Sequence, residues 1–110
     1  MNTPTPTTDA PRPPADELID QVKFAYHLIT EQHLGPDERL VLYHGGPFGQ
    51  LEVRRIFAET GNLIGVVGFD GEGQKFEILA PAGQCSFMLR TVKATPAQRR
   101  IVVGFGREEK

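Results

Sequence analysis

After residue 38 the chain divides into six short apolar segments, residues 39–44, 50–59, 62–70, 74–80, 84–92 and 99–105. Each is rich in Val, Ile, Leu or Phe and is bounded by glycine, proline or asparagine, the pattern of β-strands. The separators GGPFG, TGN, GEG and PAG are too short for a helical crossover, so they join antiparallel neighbours. Only the last link, KATPA, is longer. The chain therefore predicts a meander of five or six strands.

Within residues 62–70, NLIGVVGFD, alternation puts Leu63, Gly65, Val67 and Phe69 on one face and Ile64, Val66 and Gly68 on the other. Both faces are apolar, as in a strand covered on both sides. Glycine inside such a strand marks a bulge or a sharp barrel corner. The following DGEG reads as a tight turn in which Gly71 or Gly73 takes positive φ. The glycines thus bend a strand rather than cradle a ligand. A phosphate loop needs them between a strand and a helix N-terminus, and here strand follows strand.

Ahead of the strands, residues 15–34 have helical periodicity. Asp16, Glu17 and Asp20 sit near the N-terminal dipole, and Gly35-Pro36 supplies the stop. Leu18, Ile19, Val22, Ala25, Tyr26 and Ile29 form one apolar stripe. Phe24 and Leu28 fall outside it, and are expected to contact another subunit. Residues 1–14, MNTPTPTTDAPRPP, contain no large apolar residue beyond Met1, and read as a disordered tail. Residues 107–110 read as a second tail, leaving one domain over 15–106, with a helix at 15–34 and a β-barrel at 39–105. The expected fold is mainly β with one N-terminal α-helix, a small, strongly bent antiparallel barrel of the Sm-like or SH3-like kind. A strand with no polar face further predicts a homo-oligomer.

The net charge is −2 and is uneven: residues 1–36 carry five acidic against two basic side chains, and the remainder is near neutral. Nucleic-acid-binding domains are usually more basic than this, which counts against such a partner without ruling it out. One cysteine permits no internal disulfide. No apolar run approaches a membrane span and no signal-peptide pattern opens the chain, which predicts a cytoplasmic protein with no membrane partner.

Few residues suggest chemistry. Asp70, Glu72 and Glu77 offer too few oxygens in register for calcium. His27 and His33 point to different sides of the helix, and His44 with Cys85 supplies only half of a zinc site. Cys85 alternates with Phe87 and Leu89 and reads as a structural thiol. No nucleophile–base or paired-carboxylate spacing stands out, so the expectation is a non-catalytic protein with no cofactor and no metal. The basic residues Arg54, Arg55 and Arg90 remain, with Phe69 nearby in the strand pattern. Consecutive arginines in an alternating strand mark an edge, a bulge or a pore-lining position. Contact with single-stranded RNA would use these arginines and the Phe69 ring.

The stretch RRIFAETGNLIGVVGFD resembles the Sm-like proteins, especially the bacterial Hfq type. In that likeness Ile56 and Phe57 lie in a strand, Gly61-Asn62 in a turn, Leu63, Gly65 and Val67 in a bent second strand, and Phe69-Asp70 at its end. QKFEIL and QCSFMLRTV resemble the next two strands. The resemblance implies a ring of subunits joined edge to edge, holding single-stranded RNA near the pore and on one face. Three features depart from it: the hairpin RLVLYHGGPFGQLEV has no counterpart, Ser86-Phe87-Met88-Leu89, with only Arg90 nearby, stands where the family carries a basic-and-histidine element, and the final strand RRIVVGF is extra unless the hairpin replaces a family strand. The alternative is an SH3-like protein-interaction or structural module that binds another protein and has no nucleic-acid role.

Overall fold

The structure is a computed structural model that describes residues 14–46 and 49–107. The tail expected at 1–14 lies outside the described residues except for Pro14, and the tail at 107–110 except for Arg107.

Helix α1 spans Pro14–Gln32. Proline suits its first position, where no intrahelical N–H bond is needed, and Asp16 and Glu17 follow in the first turn. The helix buries Ala15, Ile19, Val22 and Tyr26, and the other members of the expected stripe, Leu18, Ala25 and Ile29, are half-buried. It ends two residues earlier than the sequence suggests, and Glu38 Oε1 accepts a 2.8 Å hydrogen bond from Gly35 N just beyond it.

Six strands follow in one sheet: β1 (Glu38–Gly46), β2 (Gly49–Ala58), β3 (Leu63–Phe69), β4 (Lys75–Pro81), β5 (Ser86–Lys93) and the two-residue β6 (Gly104–Phe105). Their order is β4-β3-β2-β1-β5, with β6 beside β2. All pairings are antiparallel except that of β6, which runs parallel to β2 at Arg55 and Ile56. The hairpin with no counterpart in the Sm-like resemblance supplies β1 and the start of β2, two adjoining strands of the sheet interior.

β1 pairs with β5 along nearly its whole length but with β2 only from Tyr43↔Glu52 to Gly46↔Gly49. Beyond that point β2 leaves β1. The departure coincides with a register shift between Val53 and Arg55, a β-bulge at Arg54. The bulge accounts for two adjacent arginines in an alternating strand. β6 takes up pairing with the diverging half of β2, and Ile56 O accepts a 2.8 Å bond from Gly106 N.

The glycines of β3 serve close approach. A Cβ on Gly68 would lie 2.5 Å from Glu52 O and 3.3 Å from Val53 Cα, so β2 can cross there only over glycine. The Phe57 ring covers Gly65. The next turn uses Gly73 at φ +82°, while Asp70 Oδ1 accepts bonds from Glu72 N and Gln74 N.

Residues 99–105 differ from the sequence expectation. Pro96–Arg99 form the short helix α2, capped by Thr95, whose side chain accepts from Gln98 N while Gln98 accepts in return from Thr95 N. This capping box directs the chain into a helical turn, and only Gly104–Phe105 becomes strand.

Leu42, Val53, Ile56, Ile64 and Val66 face Ala15, Ile19 and Val22 of α1 in one core, closed at an end by Ala82 of the 3-10 turn Ala82–Gln84. We call this the inner face of the sheet. The sheet is not closed: β4 and β5 stand at its two edges, and neither pairs with a further strand among the described residues. No helix among them is long and apolar enough to cross a membrane.

Candidate nucleic-acid interface

The alternation that turns Leu42, Val53 and Val66 inward turns their neighbours outward. Across the outer face Lys75 stands opposite Phe69, Phe69 opposite Glu52, Glu52 opposite Tyr43, and Tyr43 opposite Met88. All five long strands thus contribute to one cross-strand row. At a strand spacing near 4.8 Å the row is about 19 Å long, and the backbones that carry its two aromatic residues, Phe69 and Tyr43, lie about 10 Å apart.

The bulge re-aims Arg54 onto this row. Its guanidinium carbon lies 4.9 Å from the centre of the Phe69 ring, a cation–π contact. Glu52 sits between two arginines: Arg39 Nη2 donates to Glu52 Oε2 at 2.7 Å, and Arg54 Nε lies 3.4 Å from the same oxygen. Because Arg39 holds that oxygen, Arg54 Nε forms an ion pair of poor geometry. It is shielded from solvent and makes no hydrogen bond. Two arginines against one carboxylate leave the cluster with a net positive charge.

The sequence candidates are therefore divided. Arg54 and Phe69 come together. Arg55 does not join them: its Nη1 donates a 2.9 Å bond to Gly106 O, and its guanidinium packs on Gly104, pinning the C-terminal segment to β2. Arg90 is exposed on β5 opposite Val41, about three strand spacings from Phe69. Phe24 and Leu28 project from the far side of α1, Phe24 69% exposed. Tyr43, Lys75 and Arg39 join the site only through pairing that the sequence does not display; the outward alternation of Arg39 and Tyr43 in RLVLYH is the one signal that pointed to them.

The remaining candidates are structural. His44 is buried, packs against Phe87 with ring centres 5.3 Å apart and the rings tilted at 42°, and has Nδ1 3.2 Å from Ser86 O. Cys85 packs against the core and its thiol donates to Pro81 O at 3.5 Å. Burial pushes the Cys85 thiol above its ordinary value, so it stays protonated at neutral pH. Modification of Cys85 by a disulfide reagent at pH 8 is expected to run several-fold slower than that of free cysteine, and a faster rate would contradict a structural role. Among the described residues no three His, Cys, Asp or Glu side chains gather as metal ligands would.

A separate cleft of about 550 Å3 runs between α1 and the C-terminal segment, lined by Asp16, Lys23, Phe57, Phe105 and Arg107 among others. Arg107 lies over the Phe57 ring and pairs with Glu59.

No family profile, curated protein or solved structure matches the chain.

Proposed function

We propose that this chain is a non-catalytic, Sm-like small-barrel protein that assembles as a homo-oligomer and binds single-stranded RNA across the outer face of its sheet. The observation that carries the proposal is the row Lys75–Phe69–Glu52–Tyr43–Met88 with Arg54 stacked on Phe69. Aromatic rings flanked by cations suit unpaired bases and their phosphates, because each base has a π-face and each phosphate a charge. The net charge of −2 limits the phosphate contribution, so stacking carries a large share of the affinity. Curling of the open sheet into a barrel, with contacts between copies joining its two edges, completes this reading.

The test is a fluorescence-anisotropy titration of a labelled single-stranded RNA of mixed sequence. Binding is expected to weaken roughly tenfold between about 50 and 200 mM salt, as for a few released counterions. Phe69→Ala and Arg54→Ala are each expected to lower affinity by about 5- to 100-fold, the range for losing one stacked base. Absence of binding at low salt, or equal binding by Phe69→Ala, would overturn the proposal.

The α1 cleft favours a second reading, the SH3-like module. Its half-buried Phe57 and Phe105 beside Asp16 fit a proline-rich peptide carrying a basic residue. Retention of a peptide of that kind, with no affinity for RNA, would select it.

A further inference from the structure

Glu52 occupies an odd place for an acid. It is the central residue of the outer-face row, between Phe69 of β3 and Tyr43 of β1, and the row's one carboxylate. A carboxylate repels the phosphates of any strand laid across it, so a face that held the RNA backbone alone would have no use for it. Its two oxygens are also in different situations. Oε2 accepts the 2.7 Å bond from Arg39 Nη2 and faces Arg54 Nε at 3.4 Å. Oε1 makes no hydrogen bond among the described residues, and it is not buried. With its side chain 25% exposed, Glu52 is a charged acceptor that Arg39 holds in place and whose free edge is open to solvent.

Resting on the RNA reading above, we infer that Glu52 makes this site selective for guanine, read along the Watson–Crick edge. An ionised carboxylate only accepts, and each oxygen has lone pairs for more than one donor. Guanine is the base that sets two donors side by side, N1–H and the N2 amino group. Adenine and cytosine each place an amino donor beside a ring-nitrogen acceptor, and uracil flanks its one N–H with two carbonyl oxygens. Those bases bring an acceptor against one oxygen of Glu52, a repulsion that rejects them. A guanine donates from its amino group to Oε1 and from N1–H to the remaining lone pair of Oε2. Its O6 then falls beyond Oε2, on the side where the guanidinium groups of Arg39 and Arg54 stand. Donor, donor and acceptor on the base thus meet acceptor, acceptor and donor on the protein. The Phe69 and Tyr43 rings on either side of Glu52 hold this base and its neighbour by stacking. The phosphates are left to Lys75 at one end of the row and to exposed Arg90, two residues from Met88 on β5.

The test is a set of fluorescence-anisotropy titrations with short labelled oligouridylates that carry one central guanosine, inosine, adenosine or cytidine, beside the all-uridine parent. The guanosine oligonucleotide is expected to bind about 10- to 100-fold more tightly than the adenosine, cytidine and uridine ones, the discrimination of one good bidentate pair. Inosine, which lacks only the amino group, is expected to fall between. Glu52→Gln keeps an oxygen for Arg39 but turns the other acceptor into an amino donor. It is expected to lose the preference for guanosine and to gain affinity for the adenosine oligonucleotide, whose adjoining donor and acceptor match an amide. If Glu52 served only to hold the two arginines, the variant would instead weaken every oligonucleotide equally and keep the order of preference. That outcome would overturn the inference. A wild-type chain that binds all five alike, or prefers another base, would also overturn it and leave RNA binding standing. A wild-type chain that binds none of them would overturn both.

Discussion

Ile56→Ala is expected to lower the free energy of unfolding by about 3–4 kcal/mol, the cost of an unfilled cavity at a fully packed site. Ile56 is fully buried on β2, faces α1 through the core, and stands opposite both Val66 of β3 and Phe105 of β6. Its backbone oxygen also accepts the bond from Gly106. The side chain therefore lies where three elements meet, and none of them can relax into the cavity without losing pairing elsewhere. Thermal unfolding should fall by roughly 15–25 °C in a domain of this size. A shift below about 5 °C would mean that the sheet and the helix are less tightly joined than their packing indicates.

Gly68→Ala is expected to be nearly as costly, about 3 kcal/mol, through overpacking rather than a void. The added methyl would meet the backbone oxygen of Glu52 at 2.5 Å and the carbonyl carbon at 3.1 Å. Backbone atoms in a bulge cannot swing aside as a side chain can, so β2 and β3 must separate. Gly65→Ala should be milder, because the obstacle there is the Phe57 ring, which can rotate away. Urea denaturation of the two variants side by side decides the matter; equal midpoints would show that Gly68 has no special role. Since Gly68 pairs with Val53, one residue before Arg54, the same substitution should also displace the arginine from Phe69.

Much of the fold was legible because short-range signals agreed with one another. The apolar stripe of α1, five of the strands and the tight turn at Gly73 follow from periodicity. The short links join neighbours from β1 to β4 as expected, but PAG does not, because β5 pairs with β1 instead of β4 and the meander is broken there. Gly65 and Gly68 stood out as special positions in the sequence, but as points of bending, whereas the structure uses them for close approach of the Phe57 ring and of the Glu52 backbone. The segment 99–105 was misread because its Val and Ile content outweighed the Thr95–Gln98 capping box, a local bond pattern that redirects the chain. Long-range pairing stayed hidden for a different reason. Nothing in the local sequence states that β5 returns to β1, yet that pairing brings Met88 and Tyr43 into one row. The bulge at Arg54 was among the readings open for the double arginine. Which arginine would be freed and which would be tied to Gly106 depended on where β6 lands.

The most direct measurement of the central claim is size-exclusion chromatography of the purified full chain, with light scattering and absorbance at 260 and 280 nm. The chain contains no tryptophan and only two tyrosines, so even a little bound nucleic acid dominates the spectrum. The account predicts a mass that is a multiple of 12.2 kDa, with excess absorbance at 260 nm that a high-salt wash removes. A 12.2 kDa species with a protein-only spectrum, unable to bind added single-stranded RNA, would contradict it.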